Sequence, residues 1–280
     1  CAWGSWQSLS IFSLAVLIVI ATVWVESRAS APVMPGWLWR IPALAGANLA
    51  GAGMGLVMMA PNSYLPTFLQ SVHAMGAIGA GFVLGCMSIG WPTASALSGR
   101  LYMRIGFRDS AVIGAGLMIL GSVAFLLLPK PQPIWAVALD QVILGAGFGL
   151  ISTPLLVGSQ SVIGWNQRGV VTGAIMFSRN LGQSLGAALF GAVFNAAIAN
   201  RLQTASHSLD EPMPSNVNSV IDVLHDANTP ESVRAWLRDS IGIATDHLFW
   251  GMTALSVFVL LVLFIAPRQF PVHAEEQGKN

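Results

Sequence analysis

Seven stretches of this chain carry almost nothing but hydrocarbon over a length that would cross a lipid bilayer: residues 8–25, 42–65, 75–98, 110–128, 134–157, 170–198 and 247–266. A spanning helix needs roughly 20 predominantly apolar residues. Only 9% of the 280 residues are charged, whereas soluble domains carry about 25%, so charge cannot clothe a water-facing surface. The expected fold is an all-α polytopic membrane protein whose first partner is the lipid bilayer.

Composition removes several other classes. The net charge of +1 gives no ground for nucleic-acid binding. The two cysteines, Cys1 and Cys86, lie far apart, with no CxxC and no His/Cys cluster, so neither a metal site nor a disulfide framework is indicated. No GxxxxGK[ST] loop is present, in keeping with a protein that uses no ATP, binds no cofactor and is not an enzyme. Residue 1 is cysteine with no signal peptide before it, which leads to the expectation of a piece of a longer protein.

Arginine and lysine in the short loops orient such chains. Alternate gaps fall into two sets. One holds Arg28, Arg40, Arg100, Arg104, Arg108, Arg168, Arg268 and Lys279; the other holds Lys130 and, in the one long loop, Arg201, Arg234 and Arg238. The first set is expected in the cytoplasm, with the C-terminus on the same side of the cell membrane. The long loop, 199–246, also carries seven acids, and its "SNVNSVIDVLHDA" and "TPESVRAWLRDSI" read as two short amphipathic helices. His207 and His225 in it have no partner spacing that suggests a catalytic or metal site.

The stretch "GRLYMRIGFRD" (99–109) places three arginines between two apolar runs. Its Gly99, Leu101, Arg104, Gly106 and Arg108 match the cytoplasmic loop motif Gly-x-Leu-x-Asp-Arg-x-Gly-Arg-Arg/Lys, and the chain here resembles the major facilitator superfamily. Met103 stands where that family has an acid, and Phe107 where it has a basic residue. The acid is often lost in the second of the family's two equivalent loops, so the departure points to the C-terminal half. "YLPTFLQSV" with "GAIGAGFVLGCMSIGW", "VWVESRASAPVMPGWLWR", "LGAGFGLISTPLL" and "RGVVTGAIMFSRNLGQSLGAALFGAV" resemble, in order, segments of the fourteen-helix drug:proton antiporter branch (EmrB/QacA type).

The resemblance implies a particular organisation. Residues 1–40 would be the last extra transmembrane helix and its linker, 41–270 a C-terminal six-helix bundle of the major-facilitator fold, and 271–280 a cytoplasmic tail. Its partners would be the missing N-terminal half, protons and a small lipophilic, often cationic, compound exported by proton-driven antiport. Two rivals stay open: export of a metabolite, siderophore or lipid precursor, and a remnant that transports nothing. A seven-helix receptor is a weaker rival, because the glycine clusters and the arginine turn do not suit it. A retinal pigment is excluded because Lys130 and Lys279, the only lysines, lie outside the spans.

Several residues stand out as substrate or coupling candidates. Arg179 lies about 11 residues into its helix, about 16 Å at 1.5 Å per residue, where a cation is costly unless paired or wet. It either serves function or locks its helix through carbonyls. Asp140 sits about two turns in from the outer side, next to Gln141; such a carboxyl group can exchange a proton, or it can be a solvated vestibule residue or a partner for Lys130. Asn62, Tyr64, Phe68 and Gln70 around Pro66, with Trp91 and Phe177, suit a pocket for flat lipophilic cations through stacking. Equally, they suit lipid-facing or interfacial positions, as Trp37, Trp39 and Trp250 do. Gly145, Gly147, Gly149, Gly182 and Gly186 are spaced for close helix packing. Gly99 and Gly106 are expected to permit a tight turn, with the arginine loop clamping neighbouring helix ends.

Overall fold

The computed structural model of the chain describes residues 6–29, 32–205, 220, 223–224, 226 and 229–267. Among the described residues every regular element is helical: α1 (Trp6–Arg28), α2 (Pro42–Val72), α3 (Ala77–Gly85), α4 (Met87–Ile105), α5 (Phe107–Leu127), α6 (Ile134–Ser161), α7 (Arg168–Ala205) and α8 (Glu231–Leu263). Short 3-10 turns at Gly36–Arg40 and Trp165–Gln167 lead into α2 and α7. Six segments are long and apolar enough to cross a membrane: α2, α3 with α4, α5, α6, α7 with its leading turn, and α8. The 23-residue α1 precedes them, with apolar side chains such as Leu14, Leu17 and Val25 exposed. The all-α expectation is met. Cys1, His207, His225, Arg268, Lys279 and the tail 271–280 lie outside the described residues.

Element boundaries depart from the sequence reading in three places. The second span does not stop near residue 65: α2 runs on through Pro61 and Pro66 to Val72. The third span is two helices, interrupted at Cys86, whose N–H is shared between the Phe82 and Val83 carbonyls at 3.2 Å each. The 199–246 segment is shorter than expected, because α7 runs on to Ala205 and α8 begins at Glu231. "TPESVRAWLRDSI" is therefore not a separate helix but the opening of α8. Its buried Val233, Leu237 and Ile241 continue in register into Ala244 and Leu248, so one stripe serves both parts. Glu231 adds local ion pairs with Arg234 (2.9 Å) and Arg238 (3.3 Å).

Nor is residues 99–109 an extended loop. Gly99, Arg100, Leu101, Met103 and Arg104 belong to the last turns of α4, and Phe107 opens α5. One residue, Gly106, makes the reversal, at φ 95° and ψ 161°, a conformation in which an L side chain is strained. Gly99 plays no part in the turn: it lies within α4, and a β-carbon there would meet only the Tyr102 hydroxyl, at 3.9 Å.

Two parallel helix pairs organise the bundle. α2 runs beside α7, and α4 beside α6; α8 packs on α2, α5 and α7, while α5 packs on α6. Near the ends of α2 and α5 and midway along α8, three aromatic rings pack in the core. Phe125 stacks on Phe249 (centroids 3.6 Å, interplanar 7°) and receives the edge of Phe68 (5.8 Å, 67°). Across the bundle surface Lys130, in the turn between α5 and α6, pairs with Asp246 of α8. Lys130 is half-exposed, so Lys130→Ala should lower stability by no more than about 1 kcal/mol. A thermal melt should show a small drop that shrinks as salt is raised.

Candidate functional site

Glycine decides how closely each parallel pair approaches. On the α2–α7 seam, a β-carbon at Gly55 would collide with the Arg179 carbonyl, and one at Gly182 with the Ala52 carbonyl. A β-carbon at Gly186 would lie 2.7 Å from the Leu56 carbonyl. On the α4–α6 seam, Gly90 abuts the Val142 carbonyl and Gly145 the Met87 carbonyl, while a β-carbon at Gly149 would sit 2.5 Å from the Trp91 carbonyl. Gly147 faces α5, where a β-carbon would come 2.8 Å from the Gly114 carbonyl. Contacts backbone to backbone over several turns are what helices without a hydrophobic drive need in lipid. Gly55, Gly90 and Gly114 were not singled out in the sequence, although the run "AGAGMG" carried the signal for the first.

The α2–α7 seam also holds a polar bridge that sequence reasoning missed. The Ser178 hydroxyl donates to Asn48 Oδ1 (2.9 Å), and Asn48 Nδ2 donates to the Leu44 carbonyl (2.8 Å); both side chains are buried. Interhelical hydrogen bonds of this kind contribute about 0.6–2 kcal/mol. Next to it on α7, Arg179 has its Nε buried without a hydrogen-bond partner. No ion pair reaches it among the described residues. It therefore does not lock α7 through carbonyls, as one reading of the sequence had it.

Asp140 lies on α6 and is 3% exposed, so it is not a solvated vestibule residue. Lys130 is not its partner either, because Lys130 pairs with Asp246. One carboxylate oxygen of Asp140 accepts from Gln141 Nε2 (3.1 Å); Oδ1, like Gln141 Oε1, is buried without a partner. A β-carbon at Gly121 of α5 would lie 3.2 Å from that Oδ1, so the acid is pressed between α5 and α6.

The aromatic and amide candidates do not form one pocket. Phe68 is wholly buried in the Phe125–Phe249 cluster and cannot touch a solute; it is a core residue. Gln70 donates back to the Pro66 carbonyl of its own helix (3.3 Å). Tyr64 tilts against Phe194 of α7 (4.8 Å) and Trp91 against Phe148 of α6 (5.6 Å), which assigns them to different helix pairs. Asn62 is half-buried and Phe177 is 43% exposed. Two apolar recesses open along α3 and α4, one of about 550 Å³ between Phe82, Ile89 and Ala138, the other of about 440 Å³ between Leu97, Leu101, Arg104 and Leu150. Neither is lined by a substrate or coupling candidate.

At the α4–α5 turn the motif residues touch three helices. Phe107, where the family motif has a basic residue, stacks on Tyr102 (4.8 Å, 25°) and presses on α6, where a β-carbon at Gly158 would lie 2.8 Å from its ring. The Arg108 side chain bonds Asp109 (Nε to Oδ1, 3.0 Å), and its guanidinium lies 5.8 Å from the Phe264 ring just past α8. Arg168 and Trp165 make a similar pair at the start of α7 (4.9 Å). Trp39 and Trp250 are 46% and 63% exposed, whereas Trp37 packs partly against the core. His73, just beyond α2, meets the edge of Phe68 (5.4 Å). Burial pushes its imidazole pKa down from 6.5. The unfolded chain then binds the proton first, so this corner loses stability as pH falls through 6.5.

Comparison with known proteins places this arrangement. Residues 1–187 match the sequence profile of the Major Facilitator Superfamily. The chain is 31% identical, over 97% of its length and 40% of the relative's, to an uncharacterized MFS-type transporter of Mycobacterium tuberculosis (strain CDC 1551 / Oshkosh). It is 28% identical to the multidrug transporter protein MdtP of Bacillus subtilis (strain 168), over 78% of this chain and 40% of that one. A tetracycline resistance determinant of Streptomyces rimosus is 28% identical over 74% of the chain and 60% of its own length. The fold resembles a bacterial homolog of the human lysosomal transporter Spinster in its inward-facing, unoccupied conformation, with TM-score 0.63 and 14% identity over 83% of this chain and 50% of that one. The chain thus spans about 40% of the length of the first two relatives. With its two glycine-sealed helix pairs and six membrane-length segments, it belongs to the major facilitator superfamily, a family of multi-pass membrane transporters rather than enzymes.

Proposed function

We propose that this chain forms the C-terminal half of a proton-coupled exporter of lipophilic compounds, of the fourteen-helix drug:proton antiporter branch, in a bacterial cell membrane. The observation that carries the proposal is its similarity, over most of its length, to a protein named as a multidrug transporter and to one named for tetracycline resistance. A third relative, from Streptomyces coelicolor, is named for methylenomycin A resistance. Spanning about 40% of the first of these relatives suits one half of a carrier that works by rocking two halves about a midplane site. In this role α1 is the last extra helix and the α4–α5 turn faces the cytoplasm, where its three arginines satisfy the positive-inside bias.

Asp140 is the coupling group of this half. It is an acid deep in a span, with one oxygen lacking a partner, and intramembrane acids of this kind mark proton relays. Rotation of the α5–α6 contact that presses on it would change its access to water and so its hold on the proton.

The test is efflux. Bacteria lacking their own exporters, expressing the full-length gene product, are preloaded with a panel of lipophilic dyes that differ in charge, ethidium among them. At least one dye should leave several-fold faster than from vector-only cells, and an uncoupler should abolish the difference. No dye exported, or export indifferent to the uncoupler, would overturn the proposal.

A further inference from the structure

α7 presents two unlike open edges at the depth where it packs on α2. One is hydrocarbon: Phe177, Leu181, Leu185 and Leu189, four residues apart and each 43–54% exposed. The other is polar. Arg179 and Gln183, also four apart, are half-buried beside α2. With 3.6 residues per turn the two edges lie on different sides of the helix. Hydrocarbon solvates the first edge without cost. The second would be expensive against lipid tails, so it faces a polar medium or a solute.

Charge decides what kind of solute. Arg179 places a cationic guanidinium about 16 Å along α7. Nothing described neutralises it: its Nε is buried and unpartnered, and none of the ion pairs includes it. The acid set deep in a span, Asp140, belongs to the other helix pair and is 3% exposed. Asp109 is held by Arg108 at the α4–α5 turn. On either side of Arg179, Gln183 Nε2 reaches Met58 Sδ (3.7 Å), and the Ser178–Asn48 bond ties the adjacent turn to α2.

We infer that Arg179 is an anion-binding group, and that the solute handled by this half carries a carboxylate or similar oxyanion which docks on its guanidinium. The guanidinium fork accepts a carboxylate in two parallel hydrogen bonds, and both gain strength out of water. The assignment rests on the transport role proposed above. It replaces the cationic preference suggested by the aromatic residues alone: lipophilic acids and zwitterions are bound ahead of simple cations.

Two probes with the same ring and opposite charge test this, 1-naphthylacetate and 1-naphthylmethylamine. Their binding to the detergent-purified full-length gene product is measured by equilibrium dialysis, independently of any transport. The acid should bind about tenfold tighter than the amine, the scale of one charge-assisted hydrogen-bonded pair. Arg179→Gln should remove that preference while leaving the amine's affinity within about twofold, and Arg179→Lys should restore part of it. No preference in the unaltered protein, or equal loss for both probes in Arg179→Gln, would overturn the assignment; the second result would mean that the arginine pairs with an acid elsewhere in the protein. Dye efflux reports separately: export with no acid preference refutes this inference and leaves the exporter role standing.

Discussion

Gly182→Ala should unseat α7 from α2 and end transport. A β-carbon there collides with the Ala52 carbonyl, a backbone atom that cannot rotate aside. The helices must separate, and the seam that also holds the Gly55 and Gly186 contacts and the Ser178–Asn48 bond opens with them. Alanine improves intrinsic helix propensity by about 1 kcal/mol over glycine, whereas overpacking costs typically 1–3 kcal/mol and occasionally more. With backbone as the obstacle the clash wins. A drop of about 5 °C in the melting temperature of detergent-purified protein is the expected scale. Gly173→Ala provides the control on the same helix: a β-carbon there meets nothing within 4 Å, so propensity alone acts and the melting temperature should hold or rise. Equal behaviour of the two variants would mean that the seam does not bear the load assigned to it.

Asp140→Asn should leave the protein folded and bring uncoupler-sensitive dye efflux to the level of vector-only cells. The amide keeps the shape of the carboxyl group, and its oxygen can still accept from Gln141 Nε2 as one carboxylate oxygen does now. What it lacks is an ionisable proton. The melting temperature should therefore change little while efflux is lost, and Asp140→Glu should retain part of it. Efflux undiminished in Asp140→Asn would remove this residue from the coupling path. Loss of folding together with efflux would identify it as a structural residue of the α5–α6 contact.

The two variants differ in how far their sites could be read in advance. Gly182 and Gly186 stood out by helical spacing, as did Gly145, Gly147 and Gly149, and each faces a neighbouring backbone. Their partners did not stand out, because Gly55 and Gly90 lie in runs where most residues are small. Asp140 was visible as an acid in a span, but the alternatives raised for it, solvent and Lys130, both depended on which way α6 turns. Phe68 was grouped with its sequence neighbours Asn62, Tyr64 and Gln70, yet it belongs to the Phe125–Phe249 core. The segment 231–246 read as a short amphipathic helix separate from the last span, whereas its buried stripe runs unbroken into that span.

Composition and run length determined the class of this protein and the approximate positions of the six membrane-length segments found among the described residues. The thickness of the hydrocarbon sets a minimum length, and so few charges leave no other solvent. They could not determine which helix faces meet. In water an apolar stripe marks the inward face; in lipid both faces are apolar, and association follows close packing instead. Only the tertiary structure paired α2 with α7 and α4 with α6, enclosed Asp140 between α5 and α6, and left Arg179 without a counter-charge among the described residues. Those outcomes hang on where a few glycines let one backbone touch another, a matter of shape that hydrophobicity does not encode.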